Sequence, residues 1–422
     1  MGALLDGVSH GESLVILTAF AIVGAGGLAS VATWAALRAH FTKPASGRAA
    51  TAGEPNVVLL RPCAGDEPWL AETLTSSRVL GPHGRIRFLT ATLGDSAAPA
   101  CRSVSSMLHD AGCNAQTWVT GAVGPNRKAD QLARAIRRES LWPDIVVVAD
   151  CDVRLDERSL ASVLGPVQRG EAELCFLAPV ETSPRTWGDH ASASLLDGSL
   201  HAFAILSQLD PQGVVGKLFA IRSDALRALG GFESLVGALG EDMLLARRVT
   251  ESGGRLRMGT VAAESRASGR TVREVVLRYA RWISVIRAQR PLLLVSYPLL
   301  FASTPGLLAL AVWALVADGP VAYLALAAVV TARGWVLAVA RHLSHRPLAL
   351  SGQALRALVV AFASDFVLLA SFLRALASRQ LTWRGIALST RGGRLYEVRD
   401  PAGVRVRPKL QSNGVSRGRV PS

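Results

Sequence analysis

Asp144-Ile-Val-Val-Val-Ala-Asp-Cys-Asp-Val-Arg-Leu155 decides how this 422-residue chain is read. Ile145 to Ala149 is an unbroken, largely β-branched apolar run, which suits a strand buried on both faces of a mostly parallel sheet. Asp150 and Asp152 follow it directly. In an open α/β sheet, ligands bind at the carboxyl ends of the strands, so the two carboxylates stand where a site is expected. Their i, i+2 spacing lets one or both reach a single hard cation, magnesium or manganese, whose other positions go to diphosphate oxygens and water. Taken alone, the pair reads equally as solvated loop residues or as a helix N-cap before Glu157.

The surrounding chain has the matching alternation. Val57 to Leu60 and Arg85 to Thr92 read as buried strands, the second closing on Gly94-Asp95, and helical patterns from Trp69 to Ser77 and from Pro99 to Ala111 separate them from a third strand near Gln116 to Val119. Gly124-Pro-Asn-Arg-Lys128 opens a helix that runs into the central strand. Further strands are expected at Leu174 to Ala178, Gly213 to Arg222 and Leu256 to Val261, with a longer amphipathic segment at about Asp189 to Gln208. The small residues of Gly213-Val-Val-Gly216 would let backbone approach a ligand closely. Strand and helix in alternation predict a parallel, doubly wound α/β sheet.

Half the residues are hydrophobic, which points to membrane segments at the two ends of an otherwise ordinary soluble block. Leu14 to Leu37 has spanning length and ends on Arg38, Lys43 and Arg48, so it is expected as an uncleaved anchor with the following block in the cytoplasm. Arg270 to Gln289 carries Val272, Val275, Tyr279, Trp282, Ile283 and Ile286 at helical spacing among arginines, the pattern of a helix lying in the interface. Three apolar segments follow, at Leu292 to Ala317, Val321 to Ala340 and Ala354 to Leu376. An odd number of crossings would put block and tail on opposite sides, so either Leu292 to Ala317, with Pro298 and Pro305, turns back as a re-entrant hairpin, the preferred reading, or the tail is external. Arg333 and Asp365, inside apolar segments, either pair or face a polar cavity, with snorkelling as the alternative for Arg333.

The domain reading is therefore an N-terminal segment at 1–12, an anchor at 13–38, a linker at 39–56, the α/β block at 57–268, the interfacial helix at 269–290, membrane segments at 291–376 and a basic tail at 377–422. The net charge of +14 is concentrated in that tail, without nucleic-acid modules or interleaved aromatics. Nucleic acid is not expected as a partner; anionic lipid headgroups are, with a merely solvated tail as the alternative. Cys63, Cys101, Cys113, Cys151 and Cys175 show no CxxC spacing and read as packing residues in a reducing compartment.

Asp95, Asp150-Cys-Asp152, Glu241-Asp242 and Arg278-Tyr-Ala-Arg-Trp282, in this order within a membrane frame, resemble the membrane-bound, family-two-like glycosyltransferases of GT-A fold. The resemblance is to the ceramide glucosyltransferase group and the related hopanoid-associated enzymes of bacteria. Val123 to Lys128 and Gly230-Gly-Phe232 are similar to that group's patterns as well. It implies that Asp95 holds the uracil or ribose of a UDP-sugar and that Asp150 and Asp152 bind metal and diphosphate. It further implies that Lys128 contacts diphosphate or nucleotide, that Asp242 is the general base, and that Glu241, Arg278, Arg281 and Trp282 serve the acceptor and diphosphate face.

Cys151 stands where many relatives carry Ser, which leaves the carboxylates intact. The expected activity is inverting transfer of one hexose, glucose from UDP-glucose, to the hydroxyl of a membrane lipid such as ceramide, in a bacterial-type inner membrane. The alternatives are UDP-N-acetylglucosamine with a hopanoid or other lipid, a processive polysaccharide synthase, and a non-catalytic module that binds anionic lipid.

Overall fold

The computed structural model describes residues 10–41, 55–210, 212–316, 322–346, 352–378, 380–383, 386–391 and 394–397. A long helix, α1 (His10–Phe41), leads to β1 (Val57–Pro62), α2 (Leu70–Thr75), β2 (Arg85–Thr90), α3 (Ala98–Asp110), β3 (Asn114–Val119), α4 (Arg127–Arg138) and β4 (Ile145–Ala149). Next come β5 (Val153–Arg154), α5 (Glu157–Gln168), β6 (Leu174–Phe176), β7 (Pro179–Thr182), α6 (Trp187–Asp197), α7 (Phe203–Leu209), β8 (Leu218–Arg222) and α8 (Ser223–Ala228). The block closes with α9 (Glu241–Glu251), β9 (Leu256–Met258), β10 (Ala263–Arg266) and α10 (Val272–Gln289). Beyond it lie α11 (Tyr297–Phe301), α12 (Ser303–Val316), α13 (Ala322–Leu343), α14 (Gly352–Ala377), β11 (Gln380–Trp383), β12 (Ile386–Arg391) and β13 (Arg394–Glu397).

The main sheet has the order β3-β2-β1-β4-β8-β6-β9. β3, β2, β1 and β4 are parallel, and β8 runs antiparallel to both β4 and β6. Period-two alternation sorts its side chains into two cores. Leu59, Phe88, Ile145 and Val147 pack on one face, and Val58, Leu60, Val146, Val148 and Phe219 on the other. β4 is buried along its whole length, as its unbroken apolar run demands. All five cysteines are buried and none is in a disulfide, consistent with packing rather than cross-linking.

A second sheet, β5-β10-β7, lies directly after the two aspartates and is absent from the sequence reading. Its strands are two to four residues long, too short for alternation to register. The amphipathic segment at Asp189 to Gln208 forms two helices, α6 and α7, broken between Gly198 and Ala202.

Among the described residues three helices are long and apolar enough to cross a membrane, at Leu14–His40, Tyr323–Leu343 and Ala354–Ala377, so the chain is a membrane protein. α1 packs along α13 through small residues, Ala21, Ala25, Ala32 and Ala35 meeting Ala325, Ala332 and Ala340. Small side chains let helix backbones approach closely where no hydrophobic effect drives association. Gly24 shows the tightness against α12: a Cβ there would lie 2.5 Å from Leu307.

The expected hairpin within Leu292 to Ala317 gives way to a different solution. α12 leads away from the block beside α1, and α13 returns, since Arg346 just beyond it reaches Asp197 at 2.9 Å. α14 then begins and ends on the block. Arg356 near its start meets His190, and Arg287 donates to the carbonyls of Ala375 and Ser378 at its end. An outgoing and a returning helix thus bring the chain back to the block before α14 begins.

Two further expectations are corrected. The apolar face of α10 is covered by protein, because Val275, Tyr279, Ile283 and Ile286 pack against α6 and α14 rather than lipid. The start of the basic tail is a three-stranded meander, β11-β12-β13, docked through Leu388 and Leu395 on Leu239 and Val285. Residues 398–422, with most of the remaining basic charge, lie outside the described residues, as does most of the linker at 39–56.

Arg333 and Asp365 do pair, Nε to Oδ2 at 2.7 Å, with the carbonyls of Gly198 and Ala361 also accepting from the guanidinium. Both side chains are buried, so removing one leaves the other charge unpaired. Arg333→Ala is expected to destabilise the protein by about 3–5 kcal/mol, and Arg333→Met with Asp365→Leu to recover most of that loss. Thermal unfolding of the detergent-solubilised protein checks both.

Candidate active site

The carboxyl ends of β2, β1 and β4 form one edge of the sheet, and the acidic motifs sit along it. Asp95, beyond β2, accepts the Gly65 N–H at 2.9 Å and the Ala97 N–H at 3.0 Å, which ties it to the loop after β1. Asp150 and Asp152 follow β4. β2 and β4 flank β1, so Asp95 stands along the same edge as Asp150 and Asp152.

The turn carrying Asp150 and Asp152 is held from below by Arg61, which has no exposed surface. Its guanidinium donates to the carbonyls of Asp150, at 2.8 Å, and Val153, and on the other side to the Thr73 carbonyl at 2.7 Å and the Ser77 hydroxyl at 2.9 Å. The Thr73 hydroxyl adds a bond of 2.6 Å to the Cys151 carbonyl. With three of the turn's carbonyls taken from beneath, the two carboxylates project into the cleft.

Two ammonium groups meet them there. Lys128 Nζ lies 2.8 Å from Asp150 Oδ1 and 3.3 Å from Glu241 Oε1, and donates to the Gly216 carbonyl at 2.8 Å. Lys217 Nζ bonds both oxygens of Asp152, Oδ1 at 2.6 Å, and stands 3.5 Å from Asp150 Oδ2. Burial pushes the Asp152 carboxyl up, but the charge and hydrogen bonds of Lys217, with the charges of Arg278 and Arg270, together outweigh it and hold the group well below the usual carboxylate range. For Lys128, burial disfavours the ammonium, and Asp150, Glu241 and Asp242 together overcome that and raise its pKa.

Asp242 completes the cluster from α9. Its Oδ2 accepts the Gly216 N–H at 2.6 Å, and its Oδ1 accepts the Met243 N–H at 2.9 Å. The close approach expected of Gly216 is therefore to Asp242: a Cβ there would stand 2.8 Å from the Asp242 Cβ. Gly240 turns the chain into α9 at φ +75°, in the left-handed region, where a side chain would also strike Val285. Buried Asn126 caps α4 with its oxygen and sends its amide to Glu241 and the Ala238 carbonyl, joining the two helix starts. Burial, then the neighbouring Glu241, push the Asp242 carboxyl up to about 6, against the pull of Lys128 and the Gly216 N–H.

α10 approaches from the membrane side. Arg278 forms an ion pair with Glu181 of β7, which Arg270 also reaches at 3.0 Å, and its charge helps hold Asp152 ionised. The Arg278 guanidinium lies over the Trp282 ring, 4.8 Å from its centroid, and Trp282 packs edge-on against Phe203 and Tyr279. Arg281 is half-buried on the same helix.

Asp150, Asp152, Lys128, Glu241 and Asp242 are thus one connected cluster, Asp95 lies further along the same edge, and Arg278 adjoins through Glu181. Lys217, Asn126, Glu181 and Arg61 belong to the site without having been singled out. Lys217 and Asn126 lie inside quoted stretches, but only the fold shows that they face the acids. Among the described residues no group of three His, Cys, Asp or Glu side chains is arranged to hold a metal ion. The two aspartates fit a cation of the magnesium type, which takes one or two carboxylates and completes its shell from phosphate and water.

Arg61→Met is expected to remove the guanidinium's hydrogen bonds to the carbonyls of Thr73, Asp150 and Val153 and to the Ser77 hydroxyl, at a cost of about 3 kcal/mol in unfolding free energy. Arg61→Lys, which cannot fork between them, should recover only part of it in the same denaturant titration.

The chain matches the model of glycosyl transferase family 21 over residues 16–396. No curated protein matches its sequence. A mannosyltransferase from Pyrobaculum calidifontis, solved in complex with GDP-Man and Mn2+, is 16% identical, with 85% of this chain and 99% of that chain covered and a TM-score of 0.47. Glucosyl-3-phosphoglycerate synthase from Mycobacterium tuberculosis, in complex with phosphoglyceric acid, is 17% identical over 55% of this chain and 79% of that one, with a TM-score of 0.37. Since the family model spans most of the sequence, and the mostly parallel sheet with flanking helices is of GT-A type, this chain belongs to glycosyl transferase family 21.

Proposed function

We propose that the protein transfers one hexose, glucose from UDP-glucose, to the hydroxyl of a membrane lipid of the ceramide type, with inversion. The observation that carries this reading is Asp242: a carboxylate raised to about 6, fixed by two backbone N–H groups beside the acid–lysine cluster, on a block wrapped by membrane helices. A base poised near neutrality takes a hydroxyl proton efficiently while staying ionised at cellular pH. Asp95 is assigned the nucleoside, and Asp150, Asp152 and Lys128 the diphosphate. Arg278, Arg281, Glu241 and Trp282 are assigned the face where acceptor meets diphosphate.

In the proposed step the lipid hydroxyl oxygen attacks the anomeric carbon from the side opposite the diphosphate. A C–O bond forms, the bond to the diphosphate oxygen breaks with its electron pair, and the hydroxyl proton passes to Asp242. A divalent cation at Asp150 and Asp152 would supply charge to meet the anion developing on the leaving group. Lys128 and Arg278 add fixed positive charge on either side of the pair, in a cleft where such charge counts for more than in water. Half-buried Trp282, packed edge-on against buried Phe203 and Tyr279 next to α14, supports a lipid acceptor. The block is assigned to the cytoplasmic face of a bacterial-type inner membrane, with anionic headgroups as partners of the basic segments.

Asp242→Asn is expected to cut turnover by roughly 10²–10⁴ with the unfolding temperature unchanged. In the wild type, protonation silences the base, so kcat/KM should fall about ten-fold per pH unit below about 6 and level off above it. An initial-rate series from pH 5 to pH 9, about two units either side of neutrality, reads this directly. Mass spectrometry of lipids from cells with and without the expressed protein should show a new lipid heavier by one hexose. A polymer, an N-acetylhexosamine adduct or no change would each refute the assignment.

A further inference from the structure

Lys217 stands at the start of β8, and its backbone is tied to both acidic motifs. Its carbonyl accepts the Asp150 N–H at 2.9 Å, and the preceding residue, Gly216, carries the contacts to Asp242 and Lys128. Its side chain is only 12% exposed, yet it packs into neither core and ends on Asp152 and Asp150. With Lys128 it leaves the acidic pair nearly charge-balanced. That balance has a consequence for any anion entering the cleft: against Asp150 and Asp152 alone, a diphosphate would meet like charge at close range.

Resting on the reading of the cleft as a nucleotide-sugar site, we propose that Lys217 is a diphosphate-binding residue. It neutralises Asp152 while the donor is absent and turns its ammonium to the phosphate oxygens when the donor binds. A lysine suits this exchange. Its ammonium is a compact charge with three donors on a flexible stem, so it changes acceptors by rotation about side-chain bonds without backbone movement. When the acidic pair holds a divalent cation, like-charge repulsion drives the ammonium off the carboxylates toward the same phosphates. Part of the positive charge that the donor needs is thereby carried by the chain itself. A lysine that served only to balance Asp152 during folding would influence stability and leave discrimination between nucleoside and nucleoside diphosphate untouched.

The experiment is calorimetric titration of the full-length protein in detergent with UDP, GDP and the parent nucleosides, in Mg2+ and again in EDTA. Wild type is compared with Lys217→Ala, Lys217→Gln and Lys217→Arg, with unfolding temperatures recorded for each. Lys217→Ala and Lys217→Gln should weaken diphosphate binding by about ten-fold or more, leave nucleoside binding within about two-fold, and lose more in EDTA than in Mg2+, while Lys217→Arg regains part of the loss. Diphosphate affinity within about two-fold of wild type in folded Ala or Gln variants, or an equal loss for nucleoside and diphosphate, overturns the proposal. Wild type that binds neither UDP nor GDP in Mg2+ overturns the nucleotide-sugar reading instead, so the two failures are distinct.

Discussion

A guanidinium sealed beneath the sheet edge is the constraint on which the site depends. Arg61 belongs to a strand of a hydrophobic core, and its two terminal nitrogens are satisfied by carbonyls and a hydroxyl rather than, among the described residues, by a carboxylate. Burying a charge is costly unless its donors are used, so this arrangement persists only while the turn after β4 keeps its shape. The turn in turn directs Asp150 and Asp152 upward, and everything above it, the two lysines first, is placed relative to those carboxylates.

Around that turn the chain gathers the starts of two helices. Asn126 and Gly240 stand at the N-termini of α4 and α9, and the Asn126 amide joins them by bonding Glu241. Helix N-termini present unbonded N–H groups and favour negative charge nearby, which helps the block accommodate several carboxylates in one place. The third support comes through Glu181, which collects Arg270 and Arg278 and so fastens α10 to the second small sheet. α10 is packed along α14, and the Arg278 charge it carries acts on Asp152, so the site is electrostatically coupled to a helix packed against the membrane helices. This coupling gives a physical reason for a soluble-looking α/β block to be built into a membrane protein.

The membrane frame follows the same logic of satisfied charge and close packing. Arg333 and Asp365 each sit in an apolar helix and tolerate it because they meet one another. The small residues of α1 and α13 let those helices approach until α6 and α7 can pack beneath them. The basic segment after α14 is held in a meander by Leu388 and Leu395, so its first residues serve the fold.

The sequence by itself determined the sheet, since apolar runs and helical periods are local properties that burial reads directly. β1, β2 and β4 stand where their patterns put them, and the acidic residues fall at strand ends and a helix start because loops follow strands. What the tertiary structure alone decided is which side chains meet. No local pattern joins Lys217 to Asp152, Arg61 to the carbonyl of Val153, or Glu181 to Arg278, because each pair is distant along the chain and adjacent only through sheet order. The same holds for the covered face of α10 and for α14, which begins and ends on the block. An amphipathic helix has the same sequence whether lipid or protein covers it, and only packing tells the two apart.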